Sequence, residues 1–489
     1  MTLPMLEDYF PDWKEREALA EAMIPIIGSL YRRNVVCYCY GRALHNCSVM
    51  QLMKTHRYVR QVAHNELSEF ESFAMLDTLS KLDLGPSHID IGKLTARYMA
   101  DSKSEGISLS EFVENECAEI IGRHVPPIES PQDVVLYGFG RIGRLLARLL
   151  IEKTGGGQQL RLRAIVTRKE GDDDLHKRAA LFRRDSVHGA FLGTLRIDDE
   201  NQCIIANGNV IRLIHSDAPE NVDYEAHGIS NAIVIDNTGV WRDLDGLGRH
   251  LRSKGAARVI LTAPAKAGVR NIVSGVNSSD ISQDERVLGA ASCTTNAIVP
   301  VLRAMHDRFG IDHGHIETVH AYTNDQNLID NFHKKNRRGR AAPLNLVITE
   351  TGASKAVVDF LPELKGRLTS NAIRVPTPNV SLAIFNLALH TDTTRDEVNE
   401  FLRHAALHSS LQRQLDFTES EEVVSSDFVG NRHAVIVDGG ASIVDGNRVV
   451  LYGWYDNEFG YACQVVRVVQ KWAGINYPLI PKDVADIGF

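Results

Sequence analysis

The stretch DVVLYGFGRIGRLLARLLIEK, from Asp133 to Lys153, decides the fold. Asp133 to Tyr137 is a short apolar run of strand character, and it passes directly into Gly138-Phe-Gly140-Arg-Ile-Gly143. The helical run RLLARLLIEK follows, and a second apolar run ends near Ile165 and Val166. A glycine triplet of this spacing is weak evidence alone. Between a strand and a helix, with a second strand behind, it is the fingerprint of a βαβ unit that binds a dinucleotide. Gly138 allows the tight turn, Gly140 lets the backbone approach a pyrophosphate, and Gly143 permits close packing of the helix, whose N-terminus favours negative charge.

Outward from this unit the chain divides. Upstream, GRHVPPIESP at residues 122–131 carries three prolines and no hydrophobic period, so it is expected to be a linker. Residues 1–121 are expected to form an all-α unit. Leu19, Met23, Ile27 and Leu30 mark a helix over roughly 14–33 that Pro25 should kink or restart, and Leu67, Phe70, Phe73, Leu76 and Leu79 mark another. Ser108 and Glu111 have capping-box spacing ahead of a third helix over 109–121.

Length and charge bound the class. The chain has 489 residues, enough for two to four domains, and its net charge of -8 is interspersed. No polycationic face for nucleic acid or an anionic membrane is expected. The opening MTLPMLEDYF lacks the pattern of a secretory leader and no apolar run reaches membrane-spanning length, so a soluble cytoplasmic protein is expected. Seven cysteines without a repeating framework suggest reduced thiols. Cys37, Cys39 and Cys47 lack the paired spacing of zinc sites, so no metal is expected and they read as buried thiols of a helical core.

Chemistry concentrates in Ser292-Cys293-Thr294-Thr295-Asn296 and His320. A cysteine is a strong nucleophile towards an aldehyde carbonyl, and a neighbouring imidazolium, expected here from His320, lowers its thiol pKa. With a dinucleotide loop on the same chain, the pair suggests thiol chemistry coupled to hydride transfer.

GFGRIGR at 138–144, DSVHG at 185–189, SCTTN at 292–296, TVHAYT at 318–323, ETGASKAV at 350–357, RVPTPNVS at 374–381 and WYDNEFGY at 454–461 resemble, in order and spacing, the signatures of phosphorylating glyceraldehyde-3-phosphate dehydrogenases. The resemblance covers roughly residues 132–475 and leaves the first 130 outside it. It implies a Rossmann NAD(P)-binding domain at 132–291 and 458–489 and an α+β catalytic domain with a mixed or antiparallel sheet at 292–457, the whole forming a cytoplasmic homotetramer. It implies that Cys293 attacks the aldehyde, that His320 acts as base, and that phosphate releases the thioester as an acyl phosphate, a step of glycolysis and gluconeogenesis. By position, Thr323 and Arg374 match the substrate-phosphate site, while Ser292, Thr294, Arg338, Thr351 and Gly352 match the surroundings of the attacking phosphate. Asn457 matches the nicotinamide anchor, and Arg141, Ile142 and Thr262 match other cofactor contacts.

Three departures bear on specificity. NAD-specific members end the second strand with an acid, where this chain has Thr167, Arg168 and Lys169, so NADP is expected to be accepted, alone or beside NAD. Tyr137 replaces the usual asparagine, and Asp330-Asn331-Phe332 departs from the usual glycine-proline near the neighbouring subunit's adenosine. HAYTNDQ at 320–326 also resembles erythrose-4-phosphate dehydrogenases, which leaves that substrate as an alternative. A further alternative is a regulatory or binding protein whose N-terminal unit engages an unidentified partner.

Overall fold

The glycine-loop strand Gln132–Tyr137 is buried along its whole length, as a parallel strand covered on both faces must be. The computed structural model describes residues 9–482 other than 64, 66, 103–105, 158 and 267, so the opening eight residues and the end of the return segment at 483–489 lie outside it. From Tyr137 the chain enters the helix Arg141–Glu152 and returns as the strand Leu160–Thr167, parallel to the first. On the other side Gln132–Tyr137 pairs in parallel with Ala232–Asp236, so strand order reverses at the glycine loop, the place where such sheets bind ligands. The sheet has nine strands. The C-terminal helix Phe459–Trp472 packs beside Arg141–Glu152 in the core on one face of this sheet.

The helix Cys293–Phe309 leads into the second large sheet, of eight strands. Ile311–Ala321 lies there between Leu368–Val375, parallel, and Ser381–Leu389, antiparallel. The sheet is mixed, as expected. Its register sets His320 beside Arg374.

The N-terminal unit corrects the all-α expectation. Its helices are present at Tyr9–Arg32, Val49–Val62, Glu69–Ser80 and Leu109–Glu116, and Pro25 lies inside the first without ending it. Ser68 and Glu71 close a capping box, and Ser108 accepts from the Glu111 amide. The last helix stops at Glu116, short of 121, and Ile121 instead bridges Leu84. The helices surround a four-stranded sheet in which Val35–Cys39 pairs with Arg42–Ala43 and Ser87–Asp90, and Ser87–Asp90 with Leu479–Ile480 from the far end of the chain. A buried run such as VVCYC has no alternation to mark it as a strand, and a partner some 400 residues away leaves no local signal. Cys37 and Cys39 are therefore buried on a strand, not in a helical core. All seven cysteines are free, and among the described residues no three His, Cys, Asp or Glu side chains gather as metal ligands.

This unit is fused to the catalytic part. Met23, Leu30, Leu52 and Leu76 belong to one continuous apolar core with Leu402, Leu415 and Phe417. At its edge the buried Asp416 carboxylate lies 2.7 Å from Arg42 Nη2, accepts from Tyr58 at 2.5 Å and from Asn431 at 3.1 Å, and sits 3.4 Å from His433. Burial pushes its pKa up, and Arg42 and His433 more than offset this, so it stays ionised well below the ordinary range. No helix among the described residues is long and apolar enough to cross a membrane.

Removing residues 1–130 exposes that shared core and strips Asp416 of Arg42 and Tyr58. The truncated chain is expected to be insoluble or aggregated on expression. Recovery of a soluble, fully active fragment would contradict the continuous core.

Candidate active site

Cys293 is the first residue of a 17-residue helix, where the unpaired amides and the helix dipole favour a thiolate. Ser292 caps that helix by accepting from the Thr295 amide at 2.9 Å, and the thiol faces His320 near the end of the strand Ile311–Ala321. Cys293 Sγ and His320 Nε2 are 3.5 Å apart. His320 Nδ1 donates to the Ala321 carbonyl at 2.7 Å, which fixes the tautomer with Nε2 free to accept. Burial raises the Cys293 pKa, while Arg374 and the Thr294 hydrogen bonds pull it back. Burial and the Arg374 charge drive His320 down to about 3. The resting pair is a thiol beside a neutral imidazole, which corrects the expected imidazolium, because burial disfavours the charged ring.

Arg374 links this pair to a cluster of hydroxyls and cations whose chemistry suits an anion. Its Nη1 donates to the Ala321 carbonyl at 3.0 Å and to Thr323 Oγ1 at 3.2 Å, while its buried Nε has no partner among the described residues. Asp325 accepts from the Thr323 hydroxyl and forms an ion pair with Arg338, whose Nε donates to Thr349 Oγ1 at 3.2 Å. Burial raises the Asp325 carboxyl, but Thr323 and Arg338 outweigh it and keep it ionised. The strand Val347–Thr349 pairs with Ala372–Arg374, and Thr351 and Gly352 follow it, with Gly352 capping a short helix over Ala353–Val357. Thr294 points inward, 3.2 Å from the buried Tyr455 hydroxyl.

On the cofactor side, Gly138 has φ 97, and a side chain on Gly143 would meet the Gly138 carbonyl at 2.5 Å. Above Gly140 there is open space. Thr262 Oγ1 donates to Asn237 Oδ1 at 3.2 Å, and Asn237 Nδ2 to the Gly138 carbonyl at 3.3 Å, which ties three strand ends to the loop. The Arg141 guanidinium is held by Glu458 and, at 3.2 Å, by Asp185, so Arg141 and Ile142 offer a ligand their backbone at the helix start. Glu458 follows Asn457, whose Oδ1 accepts from Ser381 Oγ at 2.9 Å; Ser381 in turn accepts from the Ala321 amide, next to His320. With Oδ1 committed, the Asn457 amide nitrogen is the end left to donate. Thr167 ends its strand with a buried hydroxyl that has no partner among the described residues, and Arg168 beside it is exposed. Orphaned donors and an open loop suit a polar, anionic ligand such as a dinucleotide.

The sequence reading missed Asp325, Ser381, Asn237 and Tyr455. Asn237 stands in Asp-Asn-Thr-Gly at the end of the strand Ala232–Asp236, so a polar cluster closing an apolar run was its signal. Asp325 lay within the quoted HAYTNDQ. Ser381 and Tyr455 had none beyond their motifs. Tyr137 proves to be a packing residue, its ring edge-on to those of His250 at 4.8 Å and Trp241 at 5.7 Å.

The profile of the glyceraldehyde 3-phosphate dehydrogenase NAD binding domain matches residues 132–244, and that of the C-terminal domain of the same enzymes matches residues 292–457. A glyceraldehyde-3-phosphate dehydrogenase-like protein of Pseudomonas aeruginosa is 59% identical over 463 residues, covering 94% of this chain and 100% of its own length. Glyceraldehyde-3-phosphate dehydrogenase of Borreliella burgdorferi is 39% identical over 69% of this chain and 98% of its own, and glyceraldehyde-3-phosphate dehydrogenase 2 of Bacillus subtilis 38% identical over 70% and 96%. The Pseudomonas protein thus extends the likeness into the N-terminal unit. The chain belongs to the glyceraldehyde-3-phosphate dehydrogenase family of NAD-binding oxidoreductases.

Proposed function

We propose that this protein oxidises glyceraldehyde 3-phosphate, with inorganic phosphate, to 1,3-bisphosphoglycerate through a thioester on Cys293, reversibly. The 3.5 Å approach of Sγ to His320 Nε2 at a helix N-terminus carries the reading. Cys293 adds to the aldehyde carbon to give a hemithioacetal, and His320 accepts the hydroxyl proton as hydride departs, leaving the thioester. Phosphate oxygen then attacks the thioester carbon, the carbon–sulfur bond breaks, and the acyl phosphate leaves with the thiolate restored. The dinucleotide supplies the hydride acceptor. Asn457 orients it, Gly138, Gly140 and Gly143 admit its pyrophosphate, and Thr262 and Asn237 brace the loop.

Arg374 and Thr323 hold the substrate phosphate, and Ser292, Thr294, Arg338, Thr351 and Gly352 surround the attacking one. A phosphate on Arg374 also neutralises the charge that lowers His320, so substrate binding strengthens the base that the reaction needs. The unpartnered Thr167 hydroxyl and the exposed Arg168 support use of NADP, with NAD as the competing cofactor. Leu328, Ile329, Phe332, Leu344 and Leu346 are 71–91% exposed along residues 328–346, which supports a homotetramer in which a neighbouring subunit covers them. Glycolytic or gluconeogenic use in the cytoplasm follows from this reaction.

With purified protein, reduction of NADP or NAD by glyceraldehyde 3-phosphate is expected to require phosphate. It should vanish in Cys293→Ser and fall by about 10²–10⁴ in His320→Gln. Faster turnover of erythrose 4-phosphate would replace the substrate, and phosphate-independent turnover would overturn the acyl-phosphate step. Thr167→Asp is expected to weaken NADP use by about tenfold or more relative to NAD, as an acid there repels a 2′-phosphate; an unchanged ratio would contradict the cofactor assignment. His320 is lowered from an unfolded value near 6.5 to about 3, so the unfolded chain binds its proton first. Its neutral form therefore favours the fold fully above pH 6.5, and that contribution fades as pH falls towards 3. The His320 ring resonance in free protein is expected to stay flat between pH 5 and 8; a midpoint near 6.5 would contradict the assigned resting state.

A further inference from the structure

A cavity of about 360 Å³ lies between the N-terminal unit and the dehydrogenase part, outside the catalytic pocket. Its wall holds six cations, Arg42, Lys54, Lys153, Arg413, Arg432 and Arg467, and no carboxylate. Two of them are balanced from behind: Arg42 lies 2.7 Å from Asp416, and Arg432 lies 2.6 Å from Glu152. The other four form no ion pair among the described residues. Arg413 Nη2 is instead 2.8 Å from His88 Nδ1, with its guanidinium 5.1 Å over the Tyr38 ring. Arg467 Nη1 donates to Gln464 Oε1 at 3.0 Å and to the Arg432 carbonyl at 3.2 Å.

Gathering uncompensated cations in a partly buried space is unfavourable unless something anionic completes it. Burial, with Arg413 adding its charge, lowers Arg467 to about 10, the direction expected of a cation that lacks a counter-charge. Guanidinium forks and ammonium groups converging from several elements suit phosphoryl oxygens. The volume falls at the small end of ligand sites, about 300–1,000 Å³, which favours a small phosphorylated molecule over a whole dinucleotide or a protein segment.

We propose that this cavity binds a small molecule bearing two or more phosphoryl groups, held by Lys54, Lys153, Arg413 and Arg467. The site joins the N-terminal unit to the cofactor cradle. The helix Arg141–Glu152, which starts at the glycine loop, supplies Leu149 to the wall, with Lys153 directly after it. Gly430, also in the wall, donates its amide to Asp456 at 2.8 Å, next to Asn457. An occupant therefore touches the far end of the helix that starts at the glycine loop and the segment that holds Asp456, and through these two contacts it gives the N-terminal unit a regulatory use.

Inorganic pyrophosphate is the probe, tested on the full chain by thermal unfolding and calorimetric titration. It is expected to raise the unfolding temperature of the wild type and of Arg374→Gln, altered only in the catalytic pocket, by similar amounts. The double variant Lys54→Gln, Lys153→Gln, at an exposed and a half-buried position outside the apolar cores, should fold normally and bind pyrophosphate about tenfold more weakly or worse. Arg413→Gln should do the same; if it does not fold, the lysine pair decides. Binding lost in Arg374→Gln but kept in the lysine pair would assign pyrophosphate to the catalytic pocket and overturn the proposal. So would the absence of binding to the wild type at millimolar concentration.

Discussion

A thiol and an imidazole 3.5 Å apart in a buried pocket have one proton to share, and much of the architecture serves to fix that separation. Cys293 is held by the first turn of a long helix, which cannot shift without breaking the Ser292 cap. His320 is held by the end of a strand paired on both sides. The helix and the strand belong to the same core, so the distance is set by packing and not by the flexibility of either side chain.

Burial, and after it the charge of Arg374, gives the pair its character. Parallel pairing of Ile311–Ala321 with Leu368–Val375 sets the arginine beside His320, where it favours the thiolate and opposes the imidazolium. The same guanidinium reaches Thr323, so a phosphate bound there changes the proton affinity of the base. Ser381 carries the coupling onward, since it accepts from the Ala321 amide and donates to Asn457. Cys293, His320, Arg374 and Asn457 thus form one hydrogen-bonded assembly through Ala321 and Ser381.

The dehydrogenase part was legible in the sequence because its signals are local. Gly138 must adopt positive φ and Gly143 must lie against a carbonyl, so both need glycine, and the spacing reveals them. Cys293 and His320 were found because each sits in a distinctive run. Residues whose roles arise only through register were not, and Ser381 and Tyr455 meet Ala321 and Thr294 across strands far apart in the chain. The N-terminal sheet was invisible for the same reason, since one of its strands is Leu479–Ile480. Periodicity also showed the N-terminal helices without showing that their apolar faces are covered by catalytic-domain residues such as Leu402 and Phe417. What looked like an appended unit is part of one core.

The most direct test of the account is intact-protein mass spectrometry with peptide mapping after mixing the enzyme with aldehyde and oxidised cofactor in the absence of phosphate. The account predicts an acyl adduct on Cys293 that disappears when phosphate is added. No adduct, or one on another residue, would contradict it.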